Sequence, residues 1–160
     1  MSWTTLTGAG GLVVRDGRIL MVRQRRPLGV FWEFPSGYHE PRESLEETTA
    51  REVLEEAAVA AEVGELVCTM LWEREHDRRR NLLAYFLATP SSRAAEPRPQ
   101  TEEDIDAAAF VDPDELGAAE IHPLHQAILE RWWGTGATGF HLHADVLLHP
   151  DGTQSYDFGP

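Results

Sequence analysis

Glutamates stand at positions 40, 43, 46, 47, 52, 55 and 56, an acidic concentration matched nowhere else in the chain. Three of them, Glu52, Glu55 and Glu56, have the i, i+3, i+4 spacing. On a helix advancing about 100° per residue they fall within about 100° of one another. Uncompensated, they repel by a few tenths of a kcal/mol per pair. A hard divalent cation, Mg²⁺ or Mn²⁺, removes that repulsion, because it prefers oxygen ligands and bridges to substrate phosphates. Arg51 lies one turn from Glu47 and Glu55, within reach to orient a carboxylate by a charge-assisted hydrogen bond. Gly37 permits a sharp backbone turn, and its carbonyl is a further oxygen donor. A bare Glu-x-x-Glu-Glu also reads as a solvated charged face.

The longer spacing favours a metal site. Gly37, five residues, Glu43, seven residues, Arg51-Glu52-Val53, one residue, then Glu55-Glu56 resembles the Nudix hydrolase signature. Ala58 stands where the signature has a late glycine, and Ser36 replaces the glycine usual before Gly37. The flanking order is similar to the family as well, from about residue 6 to 133: a hairpin, "WEFPSG" before the box, a strand after it, and "FVDPDEL" before a last helix. The resemblance implies an α+β fold, a Nudix-type α/β/α sandwich with a mixed β-sheet and a catalytic loop-helix-loop. It implies hydrolysis of a nucleoside diphosphate linked to another moiety, with Mg²⁺ or Mn²⁺. Carried over by position, Arg51, Glu52, Glu55 and Glu56 are the catalytic set. Gly37, Glu52, Glu55 and Glu56 are the metal ligands, and Glu43 braces loop to helix.

These residues need elements to hold them. Ser44 followed by Glu47 has the capping-box spacing, and Ala50, Val53, Leu54 and Ala57 form an apolar stripe for a helix, with Gly64 at its exit. Upstream, Asp16-Gly17 between two Val- and Ile-bearing runs predicts a hairpin with a type I′ turn. Downstream, residues 65 to 73 and 81 to 88 predict a second hairpin around "REHDRRRN". A mobile Pro- and Ser-rich loop follows, then a strand in "IDAAAFV", an amphipathic helix in "HPLHQAILERWW", and a closing strand or hairpin in "FHLHADVLLHPDGTQSYDF". At 160 residues this is one domain, with a core at about 6–133 and a C-terminal extension at about 134–160.

Outside the box each candidate has a functional and a structural reading. Arg23, Arg25 and Arg26 leave the second strand, as phosphate ligands or as a solubilising strand end, with Arg23 and Arg25 on one face. Trp32 offers a base-stacking surface or a core residue. Glu103 falls in the loop, as an extra acidic ligand or a polar surface residue. His141 and His143 share a strand face, a metal pair with no third ligand visible.

A formal net charge of −13 repels nucleic acid polymers and anionic membranes, leaving a small nucleotide-type substrate screened by a cation. One cysteine excludes an intrachain disulfide. No basic and apolar leader or long apolar span is present, so the cytoplasm is the default location; a homodimer is left open. A nucleoside triphosphate and a nucleotide sugar fit equally, and the competing reading is a non-catalytic Nudix-like module that binds a nucleotide or a protein.

Overall fold

A computed structural model describes residues 2–159. Strand β1 (Thr4–Arg15) turns through Asp16 and Gly17 into β2 (Arg18–Arg26). Their φ angles of 51° and 72° are the two positive values a type I′ turn requires. The short strands β3 (Gly29–Glu33) and β4 (Ser36–Tyr38) precede helix α1 (Leu45–Ala57). Strands β5 (Ala61–Arg74), β6 (Arg79–Pro90) and β7 (Ile105–Val111) follow, then α2 (Pro123–Trp132). The chain closes with a hairpin of β8 (Phe140–Leu148) and β9 (Gln154–Phe158).

The strands run β3-β2-β1-β6-β5-β8-β9, with β4 paired to β1 and β7 to β2. β1–β6 and β5–β8 are parallel and the other pairs antiparallel, a mixed sheet. It curls because β1 changes partner along its length. Gly8–Gly10 pair with β4, while Val14 and Arg15 pair with β2. β1 and β2 then divide their apolar residues between two cores by the period-two rule. Leu12, Ile19 and Met21 join Leu124, Ile128 and Leu129 of α2, whereas Val13, Leu20 and Val22 join Val53 and Ala57 of α1. The helices therefore cover opposite faces, and the architecture is an α/β/α sandwich.

Three local expectations change. The buried face of α1 comprises Thr48, Thr49, Glu52, Val53, Glu56 and Ala57, while Leu54 is exposed. The helix is rolled so that two glutamates, and not Leu54, go inward. Gly64 lies within β5, where pairing to β6 is interrupted between Val63 and Leu66; the helix has already ended at Ala58 (φ 58°, ψ 30°), whose N–H donates to Leu54 O at 3.0 Å. The Pro- and Ser-rich loop is tied down: Arg98 N donates to Ala57 O at 2.9 Å, and Arg15 Nη1 to Ala95 O at 2.5 Å. Among the described residues no helix is long and apolar enough to cross a membrane.

Candidate active site

The site is built where β4 meets α1. Ser44 caps the helix, its Oγ accepting from Glu47 N at 3.1 Å. The rise to Glu52 and Glu56 then brings two carboxylates one turn apart against Gly37. A Cβ on Gly37 would lie 2.2 Å from the Glu52 carboxylate carbon, and one on Gly8 would lie 2.3 Å from the Gly37 carbonyl oxygen. Gly37 has no positive φ. It is paired in β4 opposite Ala9. Its small size, and not the sharp turn expected of it, is what the site uses.

Arg51 is the hub of the loop-helix junction. Its Nε donates to both Glu43 oxygens at 3.1 Å, Nη1 to Glu52 Oε1 at 2.8 Å and Glu55 Oε2 at 3.2 Å, and Nη2 to Tyr38 O at 2.9 Å. One guanidinium thus ties the loop carboxylate, the β4 backbone and two helix carboxylates. Its pairing holds the Glu43 carboxyl below the usual carboxylate range, and the same partners raise the Arg51 pKa further.

Glu52 and Glu56 are 9% and 6% exposed and line a cavity of about 500 Å³; the Glu55 side chain is 48% exposed and turns to Arg51. Burial raises both buried carboxyl pKa values, Glu56 the more, and each is pushed up further by a neighbouring glutamate, Glu56 by Glu52 and Glu52 by Glu55. Two desolvated carboxylates one turn apart, one packed on Gly37, offer oxygen donors that fit a hard divalent cation, whose charge would offset both penalties.

The cavity is walled by Gly37, Glu52, Glu56 and Glu103, by Arg26, Phe31 and Glu33 of the β2–β3 hairpin, and by residues of β5, β6, α2, β8 and β9. Strand parity decides which arginine enters. Gln24 and Arg26 face the cavity, so Arg23 and Arg25 face away from it. Arg23 Nε donates to Asp106 Oδ1 at 2.6 Å, and its guanidinium lies 5.8 Å from the Trp32 ring. Trp32 alternates with Phe31 and Glu33 and packs on the core, outside the cavity lining. On the cavity wall stand Arg26 and Phe31, and not Arg23, Arg25 or Trp32.

Sequence reasoning missed Glu33 and His125. Glu33 is buried and accepts from Arg26 Nε at 3.0 Å and Nη2 at 2.8 Å. His125 Nδ1 accepts from Phe34 N at 2.8 Å, and its ring stacks on Phe34 at 5.1 Å. Alternation along β3 carries a signal for Glu33; His125 has none, since its partner is 91 positions away. His143 gains carboxylate neighbours unseen in the sequence, with Nε2 3.2 Å from Glu73 Oε2 and 3.7 Å from Asp145 Oδ1. Glu73 and Asp145 each adjoin cavity-lining residues and His143 shares the strand parity of Asp145, so this cluster belongs to the other face of the sheet.

Comparison with known proteins agrees with this geometry. The NUDIX domain matches residues 5–132. The chain is 38% identical over 66 residues to "Nucleoside diphosphate-linked moiety X motif 6" of Mus musculus, a match covering 40% of this chain and 21% of that protein. It thus spans about a fifth of the length of that curated relative. Among solved structures, a NUDIX hydrolase from Nitrosomonas europaea superposes with a TM-score of 0.70 at 21% identity, over 89% of this chain and 81% of that one. A MutT NUDIX hydrolase from Burkholderia pseudomallei gives 0.69 at 28% identity, over 79% of this chain and 97% of that one. With the domain matched over most of its length and the acidic helix built against Gly37, the chain belongs to the NUDIX domain family.

Proposed function

We propose that the protein is a divalent-metal-dependent pyrophosphohydrolase. Its substrate is a nucleoside diphosphate linked to another moiety, as in a nucleoside triphosphate or a nucleotide sugar. The observation that carries this reading is the pair of buried carboxylates, Glu52 and Glu56, facing a cavity of about 500 Å³ beside the Gly37 peptide. Glu52, Glu56 and the Gly37 carbonyl would hold Mg²⁺ or Mn²⁺, with Glu55 available from the exposed side. When bound, the cation neutralises charge on the diphosphate and lowers the pKa of a coordinated water.

The chain's own residues do the rest. Arg51 fixes the Glu52 carboxylate and cannot lose its proton near neutral pH. Arg26 is the cavity-lining arginine whose charge also reaches Glu56; Glu33 holds it by two parallel hydrogen bonds, placing a positive charge where a phosphate oxygen can bind. A site carboxylate accepts the proton as the water oxygen bonds to phosphorus and the anhydride oxygen departs.

The test is Glu56→Gln, assayed with Mg²⁺ and Mn²⁺ on nucleoside triphosphates, nucleotide sugars and dinucleotides. Turnover should disappear and the metal-free thermal midpoint should stay within a degree or two or rise, because a desolvated acid is removed. Addition of Mg²⁺ should raise the midpoint of the wild type by mass action and leave that of the variant unchanged. Wild-type-like turnover by Glu56→Gln would refute the assignment.

A further inference from the structure

The last hairpin lies beyond the residues matched by the NUDIX domain, yet it is part of the cavity. β8 adds to the sheet beside β5, with Trp72 opposite Ala144, and β9 follows with Tyr156 opposite Val146 and Gln154 opposite Leu148. By strand parity Gln154, Tyr156 and Phe158 share a face, and Ser155 and Asp157 take the other. Val146, Gln154 and Tyr156 line the cavity; Ser155 does not. The Tyr156 ring stands edge-on to His122 at 5.5 Å, and His122 edge-on to Phe31 at 5.4 Å. Trp72 completes an aromatic wall, and Gln154 contributes an amide with both donors and an acceptor.

Charge divides the cavity between two jobs. The diphosphate end of a substrate is fixed by the Gly37, Glu52 and Glu56 oxygens through a cation, since without one those groups repel it. The rest of the substrate is left to the wall of Phe31, Trp72, Gln154 and Tyr156, with Arg74 beside Trp72 at 5.6 Å and held by Asp77; this wall suits a flat ring with a hydrogen-bonding edge. We propose that the β8–β9 hairpin is the specificity element of this enzyme: Tyr156 packs against the nucleobase of the substrate and Gln154 reads its edge. This rests on the pyrophosphohydrolase reading above.

The experiment compares wild type with Tyr156→Ala, Tyr156→Phe, Gln154→Ala and the outward-facing Ser155→Ala. It measures kcat and KM with Mg²⁺ on the four nucleoside triphosphates, and thermal shifts with the four nucleoside monophosphates and with ribose 5-phosphate. Tyr156→Ala should raise KM roughly ten-fold, the order of one lost base–aromatic contact, with kcat within about two-fold. Tyr156→Phe should retain the wild-type KM. Gln154→Ala should compress the ratio of kcat/KM between the best and worst base, and Ser155→Ala should change nothing. Nucleoside monophosphates should shift the wild-type midpoint more than ribose 5-phosphate, and Tyr156→Ala should abolish that difference.

The proposal is overturned if ribose 5-phosphate protects as well as the nucleotides. It also falls if the Tyr156→Ala loss lies in kcat for every base, or if Gln154→Ala and Tyr156→Ala leave base preference intact. The two readings fail separately. A wild type that hydrolyses none of the triphosphates, nucleotide sugars and dinucleotides yet shows base-dependent thermal shifts lost in Tyr156→Ala refutes the hydrolase and keeps the hairpin. A wild type with neither turnover nor nucleotide shift refutes both.

Discussion

At Gly37 the space a Cβ would fill is taken by the Glu52 carboxylate, so any larger residue there displaces that carboxylate. Gly37→Ala should lower turnover by roughly a hundred-fold, the cost of misplacing a catalytic group by about 1 Å; steady-state kinetics at saturating Mg²⁺ would show whether it does. Ala58 is the complementary case. Its φ of 58° places a side chain where glycine is at ease, with the helix ended by the bond from its N–H to Leu54 O. Relieving that conformation with Ala58→Gly should stabilise the fold by about 1 kcal/mol, as read from the urea midpoint. An unchanged or lower midpoint would mean that the alanine pays no penalty there. The departure from the family signature thus concerns helix termination and leaves Glu52, Glu55 and Glu56 in place.

Helix α1 acts as a rigid carrier of carboxylates, and the element-level device is the clamp that fixes its start to β4. Arg51 makes that clamp with Glu43, Glu52, Glu55 and the Tyr38 carbonyl. A lysine keeps the charge and loses the fork that meets several acceptors at once. Arg51→Lys should therefore raise the Mg²⁺ concentration for half-maximal activity by roughly 10- to 100-fold, as expected when a group that orients a metal ligand is altered. An unchanged metal titration would count against the clamp. The β2–β3 hairpin is the second carrier. Its parity turns Arg26, Phe31 and Glu33 to the cavity and Arg23, Arg25 and Trp32 away, so a one-residue slip would exchange the two sets.

Across the whole molecule, His125 joins three distant segments: it stands on α2, accepts from the Phe34 backbone, and contacts the Tyr85 hydroxyl of β6 at 3.3 Å. Burial, with His122 and Arg26 nearby, holds its pKa well below the ordinary 6.5. The unfolded chain therefore binds a proton there that the folded one does not, and the stability due to neutral His125 is complete above pH about 6.5 and lost as pH falls towards the folded value. The raised Glu52 and Glu56 have the opposite sign, losing stability as pH rises through their folded pKa values. The contrast between two proteins isolates the histidine. His125→Asn keeps an acceptor for Phe34 N–H and should show a smaller fall in thermal midpoint between pH 7.5 and 5.5 than wild type, measured by calorimetry. Equal falls would remove His125 as the cause. The sequence by itself determined the acidic helix, its cap and the type I′ turn, because each depends on spacings within about 20 residues and on local backbone preference; the mixed sheet with two helices followed from the order of the elements and the family resemblance. It also placed Glu52 and Glu56 at the site. Only the tertiary structure decided that Leu54 faces solvent, that Arg26 and not Arg23 or Arg25 enters the cavity, and that Glu33, His125 and the terminal hairpin share its walls. Those outcomes depend on which face of each strand meets which layer, and that is fixed by contacts between residues far apart in the chain.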